Sequence, residues 1–415
     1  MSEYEFKIHL QQYTPILHFQ GNYAGSGATL RVTELKPKLD RYIKANYEIK
    51  REWKICNTDA LNYKLKVVDG DGETASCSNI PMYFAEPKKS PNDANYSKKP
   101  TLAIAKDTQG DENAIKFSIT LEFFCLNKEL AHLLKGLDYT VFFLATNFGT
   151  RQSKGYGSFS PKTTTNTLVP TNMVGKEIKT RKEKDEYTIY RVDSFFISQS
   201  HTWDEVMNEI SDVYKCLRSG INEGGLYFKS LMFAYAKSKG QWWDKRVIKE
   251  LFFPKKLEEQ RNKHINRTEP DPLAEQPRVT PNNRLYPMFR DNLGLATDEF
   301  WKEYDFKVKK KGSAGILRFK SPILFKPLRI KSQWYIFILH CEIPRGFRDA
   351  TFKILKDDTP LRFQTYNGFS MKAFLNYVFT IDDYKKYLSK NNDSKRSNTI
   401  LENLEKIKNN FKPIQ

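Results

Sequence analysis

Ile115-Lys-Phe-Ser-Ile-Thr-Leu-Glu-Phe123 is the stretch whose reading decides the fold. Its apolar residues fall at every second position, the period of a strand with one buried face. Working outward, Asn127 is placed to cap a helix that carries Leu130, Leu133 and Leu134 on one side. The aromatic and β-branched run Tyr139 to Thr146 then reads as another strand. Upstream, Tyr4, Phe6, Ile8 and Leu10 repeat the alternation, and the run continues through Thr14-Pro-Ile-Leu-His-Phe19. Thr33 to Tyr47 reads as a helix with Leu39, Ile43 and Tyr47 on one face. Pro37 places the start of its regular part near Lys36. Tyr63 to Val68 is a short strand. Residues 70–113, rich in Gly, Asp, Asn, Ser, Lys and Pro, read as a long insertion.

The resulting order, β-α-β-β-α-β, is the ferredoxin-like or RRM-like arrangement, so the fold class is α+β. The first such domain spans 1–160, with the insertion 70–113 and a glycine-rich loop at 149–159. Residues 161–186 read as a Thr/Lys-rich linker. A second ferredoxin-like domain, 187–415, opens with the strand Tyr187 to Ile197. Thr202-Trp-Asp-Glu205 then reads as a capping box, followed by the stripe Val206, Ile210, Val213 and Leu217. Helical and mobile insertions are expected over 203–284, the part from 254 lacking any periodicity. Ile316 to Phe319 and Trp334 to Cys341 read as strands. A last helix, Asn398 to Asn409, has an apolar face for docking.

Composition narrows the function. The 415 residues hold 68 Lys and Arg against 49 Asp and Glu, a net charge of +19. Such an excess points to a polyanion, nucleic acid above all, as partner. A membrane is not indicated: no apolar run approaches about 20 residues and the N-terminus is polar, so a cytoplasmic protein is expected. Five widely spaced cysteines form no CxxC pair, which argues against a disulfide framework or a zinc knuckle. No phosphate-loop or dinucleotide fingerprint occurs, and no cofactor is expected.

The candidate binding residues lie in three places. Gly149-Thr-Arg-Gln-Ser-Lys-Gly-Tyr-Gly-Ser-Phe159 combines Arg151, Lys154 and Tyr156 with Gly155, Gly157 and Ser158. Glycine permits close backbone approach, the cations neutralise phosphates, and the tyrosine offers a stacking face. A surface hairpin is the plain alternative. Arg31, Lys36, Lys38, Arg41 and Lys44 crowd into fourteen residues at and before the first helix, either as a solvated face or as a phosphate track. A helix start at Lys36 would aim free backbone N–H groups at a phosphate. Lys309-Lys-Lys-Gly-Ser-Ala-Gly-Ile-Leu-Arg-Phe-Lys-Ser-Pro322 repeats the theme with Arg318 and Lys320, or forms a basic hairpin tip. Catalytic groups are thin. The six histidines do not cluster. His18 is placed to serve as a base on an RNA 2′-OH, or to be structural. Asp69 and Asp71 sit in a loop that would suit a metal, or form a turn.

Three segments together resemble the RAMP superfamily, the RRM-like subunits of type III CRISPR effector complexes. They are Ala28-Thr-Leu-Arg-Val-Thr-Glu-Leu-Lys-Pro-Lys-Leu-Asp-Arg41 following Thr14-Pro15, the loop Thr150 to Ser158 with its G-Y-G-S ending, and Gly315-Ile-Leu-Arg-Phe-Lys-Ser-Pro322. The last is similar to a segment of the Cmr-type subunit that caps the guide RNA 3′ end. Leu35-Lys-Pro37 stands where the superfamily usually has a glycine, and the loop carries fewer arginines than usual. The resemblance implies a non-catalytic subunit that binds guide RNA (crRNA), meets target RNA and docks on other effector subunits in antiviral defence. It implies that Lys36, Lys38, Arg41 and the loop Arg151 to Ser158 contact the guide RNA backbone, with Arg318 and Lys320 as further contacts. Two alternatives stand beside it. One is a RAMP-type endoribonuclease that uses His18 or a loop aspartate. The other is a basic scaffold that binds protein.

Overall fold

In the computed structural model, the residues described are 3–18, 30–69, 76–78, 101–104, 118–162, 170–223, 226–264, 285–296, 298–301, 304–312, 316, 318–356, 359–380 and 395–414. They form two compact units of mixed α and β structure. The first is Met1–Val213, Ile323–Cys341 and Asp393–Gln415; the second is Tyr214–Pro322 and Glu342–Asn392.

In the first unit the chain runs β1 (Glu5–Gln12), β2 (Ile16–His18), α1 (Val32–Asn46), β3 (Lys64–Asp69), β4 (Ser76–Ser78), β5 (Thr101–Ile104) and β6 (Ser118–Phe124). It continues through α2 (Lys128–Gly136), α3 (Tyr139–Leu144) and β7 (Phe159–Pro161), then α4 (Pro170–Met173), β8 (Glu177–Glu183), β9 (Glu186–Ser198) and α5 (Trp203–Arg218), of which the part from Tyr214 belongs to the second unit. One antiparallel sheet has the order β3-β6-β1-β7. Its register follows the sequence alternation. Phe6 faces Phe123, Ile8 faces Leu121 and Leu10 faces Ile119, so one set of apolar side chains fills one face. Phe6 and Phe123 stack at 4.5 Å between ring centroids. Leu35, Leu39 and Ile43 of α1 pack into the same core, as do Leu130 and Leu134 of α2. A second antiparallel sheet has the order Ile323–Ile330, Gln333–His340, β9, β8. Val192, Leu324, Phe337 and Leu339 of that sheet join the core of the first. The helix Lys395–Asn410 lies along β9.

Several elements differ from the sequence reading. Tyr139 to Leu144 is a helix, not a strand. Asp138 caps it by accepting the Thr140 and Val141 N–H groups, and Tyr139, Phe142 and Phe143 are buried at helical spacing. A short apolar run suits either state, and the cap decides it. The fourth strand of the first sheet is Phe159–Pro161, beyond the glycine-rich loop. Helix α1 starts at Val32 rather than Lys36, and Pro37 sits exposed within it. Of the stretch expected to be a linker, Pro170–Met173 is helical and Glu177–Glu183 is a strand. Half of the expected capping box forms: the Glu205 carboxylate accepts from the N–H of His201 and Thr202, while the Thr202 hydroxyl has no partner among the described residues. Most of the insertion 70–113, residues 265–284 and the start of the Ile115 strand lie outside the described residues.

The second unit holds a five-stranded sheet in the order Tyr286–Met288, Thr359–Thr365, Thr351–Lys356, Phe306–Gly312, Asp298–Trp301. Only the first pairing is parallel. Helices Leu231–Ser238, Asp244–Phe252, Pro254–His264 and Met371–Thr380 accompany it. The helix at Pro254 occupies sequence expected to be mobile. Its side chains are Lys- and Glu-rich, so no apolar period announced it. Beneath the sheet lies a buried ionic group. Lys310 donates to Asp291 at 2.7 Å and to Glu299 at 2.9 Å, and Arg290 binds both Glu299 oxygens. Burial pushes the Glu299 carboxyl up, but the Arg290 and Lys310 charges outweigh it and hold the carboxyl well below the usual range.

Candidate nucleic-acid interface

The glycine-rich loop connects α3 to β7 and is held by buried and part-buried hydrogen bonds. Thr14 supplies two of them: its hydroxyl donates to the Gly155 carbonyl at 2.6 Å and accepts the Ser158 N–H at 3.0 Å. The Gly157 N–H donates to the Pro15 carbonyl, and the Thr150 N–H to Leu17. On the other side, the Asn147 amide donates to the Gln152 and Phe325 carbonyls, and the Ser158 hydroxyl donates to Pro327. Lys326, fully buried, sends its ammonium to the Thr146 and Phe159 carbonyls and to Asn147 Oδ1. Burial first, and then the charge of Lys38, push that ammonium well below the ordinary lysine value.

Three glycines of the loop adopt left-handed backbone, but they approach the protein itself. A Cβ on Gly157 would lie 2.0 Å from the Phe148 carbonyl oxygen, and one on Gly149 would lie 2.7 Å from that of Leu17. The expectation of room for a ligand backbone is therefore corrected at these two positions. Their glycines let the loop close on β2 and on its own start.

Helix α1 is locked to the loop through Glu34. Its carboxylate accepts the Gly149 N–H with both oxygens and the Gln152 amide at 2.8 Å. Lys38 donates to Glu34, to the Asn147 carbonyl and to Gln152 Oε1, and its ammonium lies 4.6 Å from the Phe148 ring centroid. Lys36 donates to Asp40 and to the Leu61 carbonyl, over the Tyr63 ring. Lys44 is bonded to Asp59. These three lysines thus serve internal contacts, and Lys36 is not at a helix start. Arg31 sits exposed immediately before α1, one turn from Glu34, and Arg41 lies farther along with its Nε donating to the Pro37 carbonyl.

Arg151, Lys154 and Tyr156 are half-buried on the loop, while Gly155, Gly157 and Ser158 are buried. Arg151 has φ of 55° and bonds the Tyr156 hydroxyl. Burial lowers the Arg151 guanidinium and raises the Tyr156 phenol. Arg318 and Lys320 belong to the second unit and are exposed, and Phe319 between them stacks on Phe347 at 4.2 Å.

His18 ends β2 and Asp69 ends β3, strands of different sheets, and Asp71 lies outside the described residues. Among the described residues, no group of three or more His, Cys, Asp or Glu is placed to hold a metal, and no helix is long and apolar enough to cross a membrane. Glu34, Asn147 and Lys326, which organise the loop, were not singled out from the sequence. A lone lysine inside the apolar strand Ile323-Leu-Phe-Lys-Pro-Leu was the available signal for Lys326.

Comparison with curated proteins and with solved structures gives no match. Comparison with protein families gives two, in chain order: the Cmr1 N-terminal domain over residues 3–221 and the Cmr1 C-terminal domain over residues 227–409. Together they take in nearly the whole sequence, including the loop, α1 and the basic segment around Arg318. The chain belongs to the Cmr1 family, the RAMP subunit of the type III-B CRISPR Cmr complex.

Proposed function

We propose that this chain binds guide RNA (crRNA) in a Cmr complex without cutting it, gripping the phosphate backbone where α1 meets the glycine-rich loop. The observation that carries this is the clamp itself. Glu34 and Lys38 fix a loop that bears Arg151, Lys154 and Tyr156 against the start of α1, where Arg31 is exposed. A rigid mount holds cations in register for a polyanion at low entropic cost. Arg151 and Arg31 are the principal contacts in this reading, with Lys154 and Tyr156 beside them and Arg41, Arg318 and Lys320 as outlying ones. Lys36 and Lys38 act by positioning.

Two ferredoxin-like domains form the scaffold in this reading. In the first sheet, β1, β3, β6 and β7 take that fold's strand order, with α1 following β1 and α2 following β6. The second sheet supports the same reading: β9 and α5 supply its first strand and helix, Ile323–Ile330 and Gln333–His340 its middle strands, and Lys395–Asn410 its second helix. Strand β8 fills the fourth position, and the second unit enters as two insertions, Tyr214–Pro322 before Ile323–Ile330 and Glu342–Asn392 after Gln333–His340.

The test is co-expression with the other Cmr subunits, native purification, and sequencing of the RNA that comes with the complex. Repeat-derived RNA that cross-links to this subunit, and loses the cross-link in Arg31→Ala with Arg151→Asn, supports the reading. Asparagine tolerates the positive φ, so the loop is kept while the charge goes. RNA that cross-links only to other subunits refutes it.

A further inference from the structure

Lys309, Lys310 and Lys311 are consecutive, yet a strand sends them to opposite faces. Lys310 turns inward, 3% exposed, into the ionic group with Asp291 and Glu299. Lys307, Lys309 and Lys311 turn outward and are exposed. The register extends this row across the sheet. Lys311 lies opposite Lys353, and Lys353 lies opposite Arg362 on the next strand. Both are exposed, so three cations stand side by side on three adjacent strands. Directly opposed like charges destabilise a sheet. With strands about 4.8 Å apart and outward residues about 6.8 Å apart along a strand, Lys309 extends this row by one position, where Asp298 lies opposite it on the other neighbouring strand. Leu355, 38% exposed, lies among them on the middle strand.

We propose that this outer face of the five-stranded sheet binds the phosphodiester backbone of single-stranded RNA, through Lys309, Lys311, Lys353 and Arg362. Cations that weaken the fold by facing one another are explained when an anion lies across them. Lysine and arginine meet phosphate oxygens, so the site is a reader of backbone charge, indifferent to base sequence. An acidic protein segment would also meet the charge. RNA is favoured because a continuous polyanion matches cations repeated in two directions, and because the chain as a whole carries +19. The inference rests on the RNA-binding reading above but concerns a different surface.

The test uses the full chain and a fluorescein-labelled 20-nucleotide polyuridine, read by anisotropy from 50 to 300 mM salt. Lys353→Glu replaces two like-charge contacts by opposite-charge ones. It is expected to raise the melting temperature while lowering RNA affinity at least fivefold. Lys309→Ala, Lys311→Ala and Arg362→Ala together are expected to reduce the salt slope by about two, near 0.7 for each lost phosphate contact. Affinity within twofold of wild type with an unchanged slope, while Arg31→Ala with Arg151→Asn loses binding, overturns this site and leaves the loop site standing. No RNA binding by the wild-type chain overturns both. A 20-residue polyglutamate that binds through these residues when polyuridine does not overturns the proposal in favour of an acidic protein partner.

Discussion

Replacing Gly157 by alanine tests whether the glycines of the loop serve the fold or a ligand. At Gly157 φ is 67°, and the new Cβ would sit 2.0 Å from the Phe148 carbonyl oxygen. That oxygen is backbone, so no side-chain rotation relieves the clash. Left-handed backbone adds about 1–2 kcal/mol for a non-glycine residue. Overpacking against a fixed partner adds about 1–3 kcal/mol. Separation of the two loop segments here also breaks the Phe148 N–H bond to the Gly157 carbonyl, worth about 1 kcal/mol. A loss of roughly 3–6 kcal/mol is expected, a large part of a domain's stability. Two controls in the same unit isolate the terms. Gly175→Ala has φ of 89° but meets the end of the flexible Lys412 side chain, so strain alone should cost about 1–2 kcal/mol. Gly136→Ala meets nothing within 4 Å among the described residues and should change stability by less than about 1 kcal/mol. Urea unfolding followed by tryptophan fluorescence measures all three. If Gly157→Ala were as stable as Gly175→Ala yet failed to bind RNA, glycine would be serving ligand approach, and the reasoning given for the loop would be wrong.

Two further outcomes follow from buried charge. Lys326→Met leaves three acceptors at the root of the loop without their donor and should lower stability by about 2–4 kcal/mol in the same urea assay, whereas unchanged or raised stability would show the ammonium to be dispensable. Lys245 in the second unit is pulled down to about 8 by burial, then by the Arg290 and Lys249 charges. The unfolded lysine titrates near 10.4, so below pH 8 both states are charged and the folding penalty is complete. Between about 8 and 10.4 the unfolded state holds more protons, and stability rises with pH. The Lys245→Met variant should lack that rise, and the two stability–pH curves should converge by roughly 3 kcal/mol across the window. Parallel curves from pH 7 to 10.5 would refute it.

The sequence determined the elements with a clear period. The alternation in β1 and β6 fixed both strands and, through the match of apolar faces, their pairing register. The capping Asn127 fixed the start of α2, and its side chain accepts the Leu130 N–H. The order of motifs placed the chain among RAMP proteins because motif order follows the chain and needs no folding. Other features were not local. Tyr139 to Leu144 is apolar on every side, so its state depended on the Asp138 cap and on core packing rather than on a period. The pairing of Gln333–His340 with β9, more than a hundred residues earlier, leaves no mark in either segment. The site residues divide in the same way. Composition located Lys36, Lys38 and Arg151, but a lysine's use depends on which acceptor lies within about 3 Å, and that is decided by segments far away in sequence. Lys38 reaches Asn147 and Gln152, Lys310 reaches Asp291, and Lys326 reaches Phe159. Charge and periodicity are properties of the chain; whether a given cation faces RNA or a carbonyl belongs to the tertiary structure, because burial makes an unpaired ammonium too costly to leave without a partner.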